Sequence, residues 1–241
     1  KKAYRTCDKE VKPNYLRGLI PNMLSMNQEV VVRSTGEFVY NVLRKAIVTH
    51  KFPAGHRLVE AKTAKELNVS VTPVREAFAR LANQGLLTVF PYKGTYVTAI
   101  SKQYVDDVYF LRRRLEVMAA ERGFSNLTDE HISYYEQLCR IADEAFDKQN
   151  LYESIRCDIL FHEQMFSITN SMLLMEMWNV IKYRIENIQS YTKPVMNARV
   201  SVRHRGMLAA IRERDQEKYI KEILEHLNSN LQNVYFPDEK D

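Results

Sequence analysis

Apolar residues recur at three- and four-residue steps through Phe38, Val39, Val42, Leu43, Ala46 and Ile47, the spacing that lines one face of a helix. The pattern predicts a helix that begins at Thr35 and ends before Pro53 and Gly55. A short second helix is predicted over 60–67, a tight turn over 68–70, and a third helix from Thr72 to Asn83 that Gly85 stops. The period then falls to two over Leu86–Phe90 and Thr95–Ala99, and Pro91, Tyr92, Lys93 and Gly94 between them signal a β-hairpin. Three helices followed by a hairpin predict a winged helix-turn-helix.

From Ser101 onward the alternation disappears, and helical periods run on with only Gly123, Pro194, Gly206 and Pro237 as breakers. They predict helices over 101–124, 128–149, 151–169, 171–192, 196–213 and 215–233, a bundle able to enclose a ligand pocket. The expected fold class is therefore mainly α: a winged helix-turn-helix over 34–99 and an all-helical effector-binding and dimerisation domain over 101–235. Residues 1–33 show no sustained period and read as an extension.

Charge sharpens this division. Residues 1–100 hold 16 Lys+Arg against 7 Asp+Glu, whereas the remaining 19 Lys+Arg face 23 Asp+Glu. A basic first part beside an acidic second part suggests that the first meets a polyanion such as DNA. Cys7, Cys139 and Cys157 lack metal-finger spacing, and three is an odd number for a disulfide framework, so ordinary thiols in a reducing compartment are expected. No apolar run approaches the 18 or so residues of a membrane span, and a soluble cytoplasmic protein is expected.

The third helix opens in "VSVTPVREAFARLANQGLL", where Ser70 or Thr72 can cap the first turn and Pro73 sits where a missing N–H costs least. In a helix-turn-helix the start of the second helix of the motif reaches base edges, and Arg suits guanine O6 and N7. Arg75 takes that role, while Arg80, five residues on, and Lys62 are assigned to phosphate. Lys93 and Gly94 at the hairpin tip suit a wing that approaches a groove. Taken singly, each is as easily a solvated surface charge; placed together on one motif, they point to double-stranded DNA.

The stretch "FPAGHRLVEAKTAKELNVSVTPVREAFARLANQGLLTVFPYKGTYVTAI" resembles the DNA-binding domain of the GntR family of bacterial transcription regulators over roughly residues 34–99. "PAGHRL", "TPVREA", "GLL" and "KGTYV" occur in family order. One position departs: the family commonly carries Arg after the Ser or Thr of this turn, and here Val71 stands there, so a customary DNA contact is missing and a different operator preference is implied.

In the second part, Asp158 and His162 are four residues apart and share a helical face, and His204 and His226 lie on other predicted helices. Three imidazoles and a carboxylate suit Zn²⁺ or Ni²⁺, with Mn²⁺ or Fe²⁺ as further candidates. Spacing alone leaves surface or core histidines as the commoner reading. "YFLRRRLEVMAA", "DILFHEQMF" and "RHRGMLAAIRERDQEKYIKEILEHL" resemble the FCD effector domain of the same family over about residues 103–233. Its metal-binding members carry an Asp and three His that Asp158, His162, His204 and His226 match, so the resemblance implies a divalent metal cofactor.

Arg112 continues the apolar face of Val105, Val108, Leu115 and Ala119, and so either clamps the carboxylate of a small organic acid effector, as the resemblance implies, or pairs with Glu116 one turn later. Met165, Met172, Met175 and Met177 are expected near the pocket wall, and Trp178 in the core. The expected function is a ligand-responsive regulator that binds a pseudopalindromic operator as a homodimer. Two readings remain beside it: a metal-dependent hydrolase, for which Glu163 next to His162 is turned about 100° away from the ion, and a DNA-binding protein whose metal is structural.

Overall fold

The computed structural model describes residues 34–191 and 198–234. The expected extension over 1–33, Cys7, and the first two residues of the helix predicted to start at 196 lie outside these. The chain divides into two compact units between Ala99 and Ile100.

In the first unit, α1 (Thr35–Val48) starts where the Ser34 side chain accepts from the Glu37 N–H at 3.2 Å. Helix α2 (Glu60–Leu67) ends at Asn68, which adopts φ 56°, a left-handed conformation that Asn tolerates better than most residues. That single residue turns the chain into α3 (Val71–Asn83). Helices α1 and α3 pack together, and Val39, Leu43 and Ile47 of the one and Val74, Phe78 and Leu81 of the other are all nearly inaccessible. The hairpin is β2 (Leu87–Phe90) and β3 (Gly94–Val97), with Leu87 opposite Val97 and Phe90 opposite Gly94.

The sequence pattern missed a third strand. Residues Arg57–Leu58 form β1, antiparallel to β3, so the sheet order is β1-β3-β2. Two residues are too short to display a period, and only pairing with β3 defines them. The strand predicted to reach Ala99 ends at Val97.

The second unit consists of α4 (Lys102–Gly123), a 3₁₀ turn (Phe124–Asn126), α5 (Asp129–Asp147), α6 (Leu151–Ile168), α7 (Met172–Gln189), α8 (Val200–Arg203), α9 (Arg205–Glu213) and α10 (Gln216–Gln232). Side-chain caps fix most of these starts: Ser101, Thr128, Asn150, Ser171 and Asp215 each accept a backbone N–H from the first turn. The helix expected over 196–213 is two helices, because His204, at φ −103° and ψ 8°, interrupts the α conformation between α8 and α9.

Helix α6 lies at the centre, packed on α4, α5 and α7. Gly123 lets the end of α4 approach α6 closely: a Cβ there would stand 3.1 Å from the Met165 carbonyl oxygen. No helix among the described residues is long and apolar enough to cross a membrane.

Candidate metal centre and nucleic-acid interface

The central position of α6 buries two polar residues that a peripheral helix would leave in water. Asp158 and His162, one turn apart, are both fully buried. His204 reaches them from the α8–α9 junction and His226 from α10, so three separate segments deliver imidazoles to one point. The ring centroids are 5.1 Å apart for His162 and His204, 5.3 Å for His162 and His226, and 4.7 Å for His204 and His226. Phe161 stacks on His204 at 4.4 Å and holds its plane.

Each member of the cluster has a neighbour that orients it. Glu116 on α4 bridges His162 Nδ1 at 2.7 Å and Arg112 Nε at 2.6 Å. A carboxylate on Nδ1 fixes the proton there and leaves Nε2 as a lone-pair donor. The Gln189 side-chain amide donates to Asp158 Oδ2, and Arg203 Nη1 lies 2.8 Å from Asp158 Oδ1. His226 Nε2 is 3.0 Å from the Asn230 amide nitrogen.

The electrostatics favour the metal-binding protonation states. Burial, reinforced by repulsion from His162, Arg203 and Arg112, holds His204 well below the ordinary imidazole range despite Asp158. His226 is lowered for the same first reason, then by His204 and His162. Burial alone would raise Asp158, but Arg203 foremost, then the three histidines, keep it well below the usual carboxylate range. Glu116 is likewise pulled down to about 2, with His162 and Arg112 outweighing its burial. Neutral imidazoles beside an ionised carboxylate are the forms that bind metal.

The residues fit a divalent ion. Buried His162 Nε2 and both His204 ring nitrogens have no hydrogen-bond partner among the described residues, and Asp158 Oδ1 has the ion pair with Arg203 but no well-directed hydrogen bond. Such orphaned atoms are costly unless something fills the space between them. One ligand atom from each of the four residues lies within 4.8 Å of the others. Bonds of about 2.0–2.2 Å place opposite ligands about 4.4 Å apart and tetrahedral ones about 3.3–3.6 Å apart, so the widest pair closes on an ion by up to about an ångström of side-chain adjustment.

Arg112 is fully buried, and the pairing with Glu116 is present. Its Nε is committed to Glu116, while Nη1 and Nη2 make no well-directed hydrogen bond among the described residues and have the Tyr109 hydroxyl as a neighbour. The Tyr135 and Tyr219 hydroxyls, also fully buried, make no such bond either. The position of Glu116 four residues after Arg112 signals their pairing in sequence, but not its bridge to His162. For Gln189 and Arg203 the sequence offers no signal beyond the adjacency of Arg203 to His204.

Two expectations fare differently. Met165 is buried, but Met172 is 78% and Met177 41% exposed, since α7 turns that face away from α6. Trp178 is in the core, and its indole N–H donates to Glu163 at 2.7 Å. Lys182 also pairs with Glu163 at 2.7 Å, so two groups of α7 engage this α6 carboxylate.

On the first unit, Lys62, Ser70, Thr72, Arg75, Arg80 and Lys93 are all exposed. Ser70 is the N-cap of α3 by backbone conformation, although its hydroxyl makes no capping bond. Arg75 pairs with Glu60 at 3.1 Å, an exposed contact worth little. Arg80 lies over the Tyr40 ring at 3.7 Å and near Glu37 at 3.9 Å. Gly94 adopts φ 117° at the hairpin, with the Arg57 side chain against it, so a further cation absent from the sequence reading stands at the base of the wing.

Comparison with known proteins accounts for both units. Residues 107–229 match the FCD domain, and residues 35–97 match the bacterial regulatory proteins of the gntR family. The chain is 27% identical over 201 residues to the HTH-type transcriptional repressor RspR of Escherichia coli (strain K12), covering 81% of this chain and 87% of that one. It is 26% identical over 201 residues to the HTH-type transcriptional regulator McbR of the same organism, covering 82% and 91%. The solved structure of E. coli McbR/YncC aligns with a TM-score of 0.68 at 25% identity, over 83% of this chain and 96% of that one. A GntR regulator from Rhodococcus sp. RHA1 shares the fold, with a TM-score of 0.69 at 23% identity over 82% and 95%. These relatives are transcriptional regulators rather than enzymes, and with a gntR-type winged helix-turn-helix followed by an FCD domain, this chain belongs to the GntR family of bacterial transcription regulators.

Proposed function

We propose that this regulator binds a pseudopalindromic operator as a homodimer and responds to a small carboxylate held beside a divalent metal, Zn²⁺ or Ni²⁺, in its helical domain. The observation that carries the metal reading is the convergence of four ligand atoms, most of them buried and lacking hydrogen bonds, from Asp158, His162, His204 and His226. Held there, the ion would supply Lewis acidity to a ligand oxygen. Arg112 would take the carboxylate through its Nη1 and Nη2, with Glu116 fixing both Arg112 and His162.

Support for the homodimer is an apolar surface on two helices that pack together. Phe110, Leu111 and Met118 of α4 and Leu173, Met177 and Val180 of α7 are between 41% and 65% exposed. Exposed apolar residues in that number mark an interaction face, and a second copy supplies the matching one. At the DNA end, Arg75 would exchange its weak contact with Glu60 for a guanine edge, Arg80 and Lys62 would meet phosphates, and Ser70, Thr72, Lys93 and Gly94 would pack against the backbone and groove. Effector binding changes operator affinity to the extent that it favours one arrangement of the paired heads, typically by about 1–3 kcal/mol.

The test combines metal analysis with operator binding. Purified protein should hold one metal per chain, and His204→Ala and His226→Ala should each lose it. Arg75→Ala should relax base preference at a cost of about 1–3 kcal/mol, whereas Arg80→Ala should weaken binding to all sequences and lower its salt dependence. Metal uptake unaltered in both histidine variants, or equal affinity of wild type and Arg75→Ala for a selected operator, would count against the corresponding assignment.

A further inference from the structure

Between α8–α9 and α10 lies a cavity of about 240 Å³ whose walls include Arg203, Met207, Glu222, His226, Ser229 and Asn230. At about 30 Å³ per water, it has room for roughly eight waters, the space of a small metabolite. His226 joins it to the metal cluster.

The cavity contains opposite charges that do not pair with each other. The Arg203 side chain is only 6% exposed, and among the described residues its one ion pair is with Asp158. None of its three nitrogens makes a well-directed hydrogen bond among the described residues. The Glu222 carboxylate rests against Gly206, where a Cβ would overlap it. Glu222 forms no ion pair or hydrogen bond among the described residues. Lys218, one turn earlier, pairs directly with Glu213 at 2.7 Å and feels the Glu222 charge without touching it. Glu225 lines the same cavity and is exposed, with Lys221 4.0 Å away.

We propose that this cavity receives a small amino carboxylate, its carboxylate directed to Arg203 and the metal side and its ammonium to Glu222, so that the effector is a zwitterion rather than a simple acid. The inference rests on the metal and effector reading above, narrows its ligand class, and gives the carboxylate to Arg203, which lines this cavity, in place of Arg112, which does not. A dicarboxylate would meet Glu222 and Glu225 as like charges, and a simple amine would meet Arg203; a zwitterion satisfies both walls. The Asp158 oxygen that touches Arg203 is also 3.3 Å from His204 Nε2. A cation at the cluster therefore competes with Arg203 for that carboxylate, and a buried guanidinium that gives up Asp158 needs another anion.

Calorimetry on the full, zinc-loaded chain tests this with two matched pairs that differ only in ammonium against hydroxyl, L-alanine with L-lactate and L-aspartate with L-malate. At least one amino acid should bind about tenfold or more tighter than its hydroxy partner. Glu222→Gln should remove that preference, and Gly206→Ala, which displaces the Glu222 carboxylate, should reduce it. Arg203→Met should weaken both members of the pair. Hydroxy acids binding as tightly as amino acids, a preference unchanged in Glu222→Gln, or no binding of any probe at millimolar concentration would each overturn the proposal. Metal content, measured in parallel, reports separately on the cluster: a wild type that takes up no zinc refutes the metal reading, and the amino-acid titrations then proceed on the metal-free chain with the same expected preference.

Discussion

Glu116→Gln changes one charge and almost no volume, which makes it the sharpest probe of how the cluster is held. In the wild type the Arg112–Glu116 pair is 2.6 Å long with both side chains at 2% exposure or less, so solvent does not screen it. The substitution leaves the guanidinium buried without a counter-charge, a loss of about 3–5 kcal/mol. The depression of Glu116 from 4.5 to about 2, owed to His162 first and Arg112 second against its burial, corresponds to about 3 kcal/mol of stability from both partners together, present above pH 4.5 and lost as the pH falls through about 2.

A second consequence falls on His162. Glutamine can still accept from Arg112 through its carbonyl oxygen, but its amide then faces Nδ1 as a donor. His162 must accept there and carry its proton on Nε2, the nitrogen that faces the cluster. Zinc affinity should fall about 10–100-fold. Urea unfolding of the metal-free protein measures the first effect, and competition with a chromophoric chelator the second. The double variant Arg112→Met with Glu116→Leu should unfold at higher urea than Glu116→Gln alone, since an apolar pair leaves no buried charge. A Glu116→Gln protein within about 1 kcal/mol of wild type that binds zinc as tightly would refute the reasoning.

Two further outcomes follow from the packing of the same unit. Because burial keeps His204 neutral in the folded chain while the unfolded chain protonates near pH 6.5, the unfolded state gains protons first on acidification. Stability of the metal-free protein should fall below pH 6.5 by up to about 1.4 kcal/mol per pH unit from His204, with a contribution in the same direction from His226; urea midpoints between pH 7 and 5 measure it, and His204→Phe should flatten the slope. Gly123→Ala should destabilise the protein by about 1–3 kcal/mol, because the Met165 carbonyl 3.1 Å from the new Cβ belongs to helix backbone and cannot turn aside as a side chain would; a thermal or urea midpoint equal to that of wild type would contradict this.

Much of the architecture is legible in the sequence because local physics determines it. The apolar period of α1, the Asn68 turn, the switch to period two at the hairpin and the cap residues before the bundle helices each act within a few positions of the chain. The residues proposed to face DNA can be nominated for the same reason, since they lie on one short motif. Asp158 and His162 share a face by helical geometry alone. Their meeting with His204 and His226, by contrast, depends on α6 being the central helix and on a break between α8 and α9 at His204, two residues before Gly206, through which the period alone runs one helix. The tertiary structure alone decides that Glu116 ties Arg112 to His162, that Gln189 and Arg203 hold Asp158, and that Arg203 and Glu222 face one cavity. The physical reason is burial: the pairing and protonation of these groups follow from which charges are removed from water together, and that is set by packing between segments far apart in the chain.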